Sequence, residues 1–367
     1  MLAGAARADT LPSVNAPQPP RIEVYTMGPG ADLFSAFGHA AICVKDRVDP
    51  QGRCYNYGTA DFRTPVPLTW DFIRGRARFW VSVVELPWLV RAYAREDRAV
   101  YRQVLTLPPA QAERLAQALA DSTDERVKYY RYHHFDDNCT TRIRDLVDRA
   151  TDGALARDPA DRGHSFRGWA REGFRGNWPL LAVVELVLGR SADRATDTWS
   201  AMFLPSELRA AVMERLHAPP EEVVHRRAPV PGGSRWLGVL AFAIGGALLA
   251  LLVALGARLG GGWWRASLVP SALLLGLVGA IVFALASLSS FPELIWNESL
   301  LSFWPTDLLL PLLPRRWLTR YLALRLVVLA LVVVGHVVGL TQPLGPLLLV
   351  VPPLVVAERT SRARQLV

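Results

Sequence analysis

Two stretches near the C-terminus, Trp236–Ala257 and Ala266–Leu288, each run for about 22 residues without a charged side chain. That is the length a helix needs to cross the hydrocarbon core of a bilayer. They divide the chain into unlike halves. From residue 236 onward there are nine Arg, no Lys and four acids, whereas the first 235 residues hold every other charge. The mean hydropathy of +0.18 therefore averages a polar half with a membrane half. This excludes a simple soluble enzyme, a disordered chain and a repeat array, since no internal period is present. The net charge of +8 is spread out, with no basic cluster interleaved with aromatics, so no nucleic-acid partner is expected.

Tyr321–Leu340 reads as a third span, with Arg325 near one end where it can snorkel. Pro343–Ala357 is a shorter, Pro-containing candidate, and Asn297–Pro314 is apolar but carries Glu298 and Asp307. With the N-terminal half outside and five crossings, the inner segments hold Arg258 and Arg265, then Arg315, Arg316 and Arg320, then Arg359, Arg362 and Arg364. The outer connections hold no Lys or Arg, as the positive-inside rule requires. The expected organisation is a flexible N-terminus or signal-peptide remnant over 1–20, with small residues at Ala6 and Ala8, then a single folded domain over 21–217. A Pro/Gly-rich linker over 218–235 follows, then a membrane domain of four to five helices over 236–357 and a basic cytoplasmic tail over 358–367.

Within 21–217, β-branched and aromatic runs at Ile22–Tyr25, Ala40–Lys45, Tyr55–Tyr57, Val81–Leu86 and Val100–Leu107 predict strands. Pro109–Ala120 predicts a helix. So does Cys139–Ala150, where Ile143, Leu146, Val147 and Ala150 share one face. The class is α+β or α/β.

Two motifs carry chemistry. In Phe37-Gly38-His39-Ala40-Ala41-Ile42 a His precedes an apolar strand. In Phe135-Asp136-Asp137-Asn138-Cys139-Thr140-Thr141 a Cys opens an amphipathic helix. A thiol at a helix N-terminus faces the positive end of the dipole, which favours thiolate. An imidazole within reach would make it a Cys–His nucleophile. Asp137 or Asn138 can cap the helix, and Asn138 is also a candidate oxyanion donor. The alternative, a buried inert Cys, fits poorly with the polar neighbours of Cys139. Cys43 and Cys54 flank a turn at Asp49-Pro50-Gln51-Gly52. Either they form a disulfide across a hairpin in an extracytoplasmic domain, leaving Cys139 as the lone thiol, or all three cysteines stay reduced. A zinc site drawn from His39, His133, His134 and Cys139 lacks a recognised ligand spacing, so neither metal nor cofactor is expected.

With these motifs in hand, Ile22 to about Leu208 resembles the extracytoplasmic domain of the Lnb family of bacterial membrane proteins. Besides the His and Cys motifs, the matching stretches are Tyr55-Asn56-Tyr57-Gly58-Thr59 with Asp61-Phe62, Phe72-Ile73-Arg74-Gly75, Ser165-Phe166-Arg167 and Phe203-Leu204-Pro205. Pro292-Glu293-Leu294 with Asn297, and Asp307-Leu308-Leu309-Leu310, resemble the family's membrane region. The resemblance implies an α+β, circularly permuted papain-like (NlpC-like) domain followed by an all-α transmembrane bundle. It places the protein in the bacterial inner membrane as a multi-pass protein with its catalytic domain on the periplasmic side. It further implies lipoprotein maturation: the sn-2 acyl chain of a diacylglyceryl-Cys is moved onto its own α-amino group, with diacylated lipoproteins and membrane lipid as partners.

On that reading Cys139 accepts the acyl group and His39 handles the proton. If Cys43 pairs with Cys54, antiparallel register puts Asn56 opposite Ala41, where it can orient His39. Tyr25 is a candidate further donor near the His strand. Trp70, Trp80 and Trp88 are core residues or the walls of an acyl groove. A Cys amidase or peptidase acting on peptidoglycan or peptides, and a non-enzymatic membrane scaffold or receptor, are the competing functions.

Overall fold

The computed structural model describes residues 18–30, 35–229 and 232–364. The signal-remnant reading with Ala6 and Ala8 falls outside them. The N-terminal half is built on an antiparallel sheet whose strands are β1 (Arg21–Met27), β2 (His39–Lys45), β3 (Arg53–Thr59), β4 (Arg78–Glu85), β5 (Val100–Leu105), β6 (Tyr129–Arg131) and, at one edge, β9 (Glu221–Val224). Their spatial order is β6-β4-β3-β2-β1-β5-β9. β9 lies within the stretch expected to be a linker and pairs with β5 through Arg102 and Glu221. A separate pair, β7 (Asp161–Ser165) and β8 (Ala195–Asp197), stands apart.

Alternation along β2 divides its side chains between two layers. Ala40, Ile42 and Val44 face a core shared with Leu115, Ile143 and Val147, supplied by α3 (Pro109–Asp121) and α4 (Cys139–Ala150). Ala41 and Cys43 face the opposite layer, with Leu86 and Leu89 of α2 (Leu86–Arg95). Between β3 and β4 lies α1 (Pro65–Ile73). After α4 come α5 (Phe166–Gly173), α6 (Trp178–Val187), α7 (Thr198–Ala201) and α8 (Pro205–Leu216). The predicted α4 has the observed bounds because Asn138 caps it: its Oδ1 accepts from the Thr140 and Thr141 amides, while Thr141 Oγ1 accepts from the Asn138 amide.

The membrane half contains α9 (Leu237–Leu259), α10 (Gly261–Leu288), α11 (Pro292–Ile295), α12 (Ser299–Ser302), α13 (Arg315–Val337) and α14 (Leu347–Ala363). Among the described residues, α9, α10 and α13 are long and apolar enough to cross a bilayer. α14 has 17 residues with Pro352 and Pro353 inside it, and it carries the helix into the stretch expected to be a tail.

Two expectations need correction. Asn297–Pro314 is not a helix: it is broken into α12, an extended Phe303 and a 3₁₀ turn over Pro305–Leu309. It nevertheless descends alongside α10. Phe303 and Trp304 lie at Gly279, Leu308 at Gly276, and the Pro311 carbonyl accepts from Arg265. Irregular backbone at membrane depth survives only where protein satisfies it. Here Arg325 does so. It does not snorkel but is fully buried, ion-paired to Asp307 and donating to the carbonyls of Leu301 and Ser302. The halves meet where α6 packs on α9 and where Asn297 Nδ2 donates to the Leu186 and Val187 carbonyls.

Candidate active site

His39 is the first residue of β2. Gly38 before it has φ +88°, and a Cβ there would sit 2.5 Å from the Met27 carbonyl oxygen, so this entry turn requires glycine. Cys139 is the first residue of α4 and is 8% exposed. The sheet brings these two together, although they are 100 positions apart in the chain. Gly58, with φ +85°, lies against both: a Cβ there would meet Cys139 Cβ at 3.3 Å and His39 Cε1 at 3.7 Å. Its conformation goes with a bulge, the β3–β4 register shifting between Asn56 and Thr59. Gly58 is a site residue that chemistry-based reasoning passes over, because it has no functional group. The motif Tyr-Asn-Tyr-Gly-Thr held the signal, as a glycine inside a strand marks a bulge or a close approach.

Cys43 and Cys54 form a disulfide, directly opposite each other across β2 and β3. That register puts Asn56 beside His39, and His39 Nε2 lies 2.6 Å from Asn56 Oδ1. An amide oxygen only accepts, so Nε2 carries the hydrogen and Nδ1 is left for the thiol. Asn56 is held in turn: its Nδ2 reaches Thr59 Oγ1 at 3.4 Å, and Thr59 Oγ1 bonds Ser82 Oγ at 2.7 Å. The Tyr93 ring stacks on His39 at 6.0 Å, and Arg98 lies over Tyr93 at 4.6 Å.

Burial pushes the Cys139 thiol upward. The charge and hydrogen bond of His39, the Thr140 hydroxyl and the Ala40 amide outweigh it and bring the thiol down to about 7. Burial also disfavours a charged His39, yet the neighbouring Cys139 and the Asn56 acceptor hold the imidazole above its ordinary value, with Arg98 opposing them. Each partner thus favours the other's ion, the arrangement a thiolate–imidazolium nucleophile needs.

The remaining candidates lie elsewhere or serve the fold. Asn138 is not an oxyanion donor. Its Oδ1 is spent on the cap, and its Nδ2 donates to the His134 and Phe203 carbonyls. Asp137 does not cap α4; its carboxylate takes a bidentate bond from Arg142 at 2.5 and 2.6 Å. Tyr25 is no donor to the site: its hydroxyl donates to Glu23 Oε2 at 2.8 Å, toward the far end of β2. Trp70 and Trp88 are not core, being 47% and 54% exposed, and Trp80 is half-buried against Tyr129. His133 and His134 do not join His39 and Cys139 as zinc ligands. They stack on each other, and His133 Nε2 lies 3.4 Å from Glu293 Oε2 of α11. With Asp136 these two make a cluster of possible metal ligands, into which Arg194 already extends its guanidinium, 2.9 Å from Asp136.

Residues 13–168, which span the His strand, the Asn strand and the Cys helix, match the family model described as the Lnb N-terminal periplasmic domain. This segment is an Lnb domain. No curated protein and no solved structure matches the chain. The Lnb domain, joined to three helices of membrane-crossing length and apolarity, makes this a membrane protein with a periplasmic domain. The disulfide suits that compartment.

Proposed function

We propose that this protein is a lipoprotein transacylase of the inner membrane, multi-pass, in which the Lnb domain has a circularly permuted papain-like fold and works as a Cys–His acyltransferase. The observation that carries the reading is the Cys139–His39–Asn56 array, with a buried thiol held near 7. The chain order of His strand, Asn strand and Cys helix supports the permuted arrangement.

In the proposed cycle the Cys139 thiolate attacks the sn-2 ester carbonyl of diacylglyceryl-Cys. The C–O bond breaks, the glycerol oxygen takes the proton from His39, and the acyl group remains as a thioester. The neutral α-amine of the same lipidated cysteine then attacks the thioester and gives a proton to His39. The C–S bond breaks and the thiolate returns. An ester becomes an amide with no water and no cofactor consumed. Membrane helices beside the Lnb domain keep a doubly acylated substrate near the thiol, which raises its effective concentration.

Mass spectrometry of a lipoprotein's N-terminal lipopeptide tests this, in cells supplying diacylated substrate with the wild-type protein, Cys139→Ala or neither. The expected result is a lyso form of unchanged acyl mass, one chain now on nitrogen, found with the wild type alone. Its persistence with Cys139→Ala overturns the thiol mechanism. Unchanged lipid with the wild type overturns the reading, and cleaved peptides in its place would indicate the amidase or peptidase.

A further inference from the structure

α1 is apolar on two faces. Leu68 and Phe72 pack on the sheet core, while Val66 (78% exposed) and Trp70, one turn apart, face outward. None of its residues is buried. An exposed apolar helix face on a periplasmic domain loses the benefit of burial unless something other than water covers it.

The position of α1 identifies the cover. Its C-terminal end sits on the outer end of α10, a 28-residue span that ends at Leu288. Gly75, with φ +63°, lies so close to Ser290 that a Cβ would be 2.1 Å from its hydroxyl oxygen. Ser290 Oγ donates to the Arg74 carbonyl at 3.1 Å, and Phe72 meets Phe291 edge-on at 5.7 Å. α1 is therefore fixed at the level where α10 leaves the bilayer. The exposed Trp236 and Trp296, at the outer ends of membrane elements, mark the same level. Arg74 lies beside the Trp70 ring at 5.7 Å, a cation and an indole suited to lipid phosphate and the interface.

We propose that α1 is an interfacial helix whose Val66–Trp70 face lies in the outer leaflet of the membrane, among lipid acyl chains. The opposite face leads inward: Phe72 touches Tyr132 at 6.0 Å, and the Tyr132 phenol is pushed up first by burial and then by the charge of a nearby Cys139 thiolate. The inserted edge of the Lnb domain thus borders its nucleophile; that substrate chains enter by this edge rests on the transacylase reading, whereas insertion itself does not.

The test uses the full chain with Cys139→Ala, so that one introduced thiol carries the label. Val66→Cys and Trp70→Cys are labelled with a bimane fluorophore and reconstituted into vesicles of phosphatidylethanolamine and phosphatidylglycerol, with or without bromine on the acyl chains. Val48→Cys, at the β2–β3 turn and 91% exposed, is the reference site. Several-fold quenching by brominated chains at positions 66 and 70, with none at 48, is the expected result. Quenching at 66 and 70 no greater than at 48 overturns the proposal. Since the label is read in protein lacking its nucleophile, a failure of acyl transfer leaves this result untouched.

Discussion

The protein holds two charged couples, and they are built on opposite principles. In the membrane half, Arg325 and Asp307 are both fully buried, and their surroundings complete them: Tyr321 donates to Asp307, and two broken-backbone carbonyls accept from Arg325. In the Lnb domain, Cys139 is buried and His39 half-buried; the sulfur has the Thr140 hydroxyl and the Ala40 amide as further donors, but its charge is matched by the facing imidazole ring. A buried charge with every partner in place is scaffold; a pair that shares one proton is poised to react. The comparison teaches that burial and charge alone do not locate chemistry. The shared proton does.

Breaking the membrane couple should have the largest effect on the fold. Arg325→Ala leaves the buried Asp307 carboxylate without its guanidinium partner and two carbonyls without their donor, at a cost of about 3–5 kcal/mol. The full chain in detergent should unfold at lower temperature or denaturant concentration. Arg325→Lys, which keeps the charge but not the fork of donors, should recover only part of the loss. An Arg325→Ala protein as stable as the wild type would mean that the descending segment is held by packing alone.

The reactive couple should respond to pH instead. Iodoacetamide labelling of Cys139 should rise with pH through a midpoint of about 7, because thiolate forms as pH climbs past the thiol's pKa. In His39→Ala the imidazolium is gone and only the Thr140 and Ala40 donors oppose burial, so the midpoint moves up into the ordinary thiol range. Labelling at pH 7 should then fall by about 50-fold, the ratio of a half-ionised thiol to one near 9. Thermal stability should change little. An unmoved midpoint would show that the helix N-terminus and the Thr140 and Ala40 donors suffice without the imidazole.

How much of this was legible in the sequence follows the same division. β-branched and aromatic runs located β1 to β5, whose side chains fill the layers on both sides of the sheet, and helical spacing located α4, which buries one face on the core. His39 and Cys139 stood out because they are the wrong residues for their local surroundings unless they react. Asn56 was reachable through the cysteine register. Pairing between separate elements was not legible: nothing local tells that Arg325 turns inward to Asp307. The positive-inside rule counted Asn297–Pro314 as a crossing, yet could not show its helix broken, since the satisfying donors come from other helices. Nor does composition distinguish the core tryptophan from the interfacial one, as Trp70 demonstrates.

The finest form of the comparison sets one asparagine against another. Asn56 touches His39 and Asn138 adjoins Cys139, so both look catalytic, yet their partners differ. Asn138→Ala removes the cap of α4 and leaves two buried carbonyls without a donor, costing about 2 kcal/mol of stability. Asn56→Ala removes a bond that fixes the imidazole, and general base catalysis depends on that orientation, so it should lower turnover roughly tenfold to a hundredfold. Measuring melting temperature and acyl transfer on both variants separates the roles: Asn138→Ala should lose stability, with activity following only as the folded fraction falls, and Asn56→Ala should lose activity at nearly unchanged melting. The reverse pattern would make Asn138 the group that acts on the reaction and Asn56 a strand residue that happens to lie beside the ring.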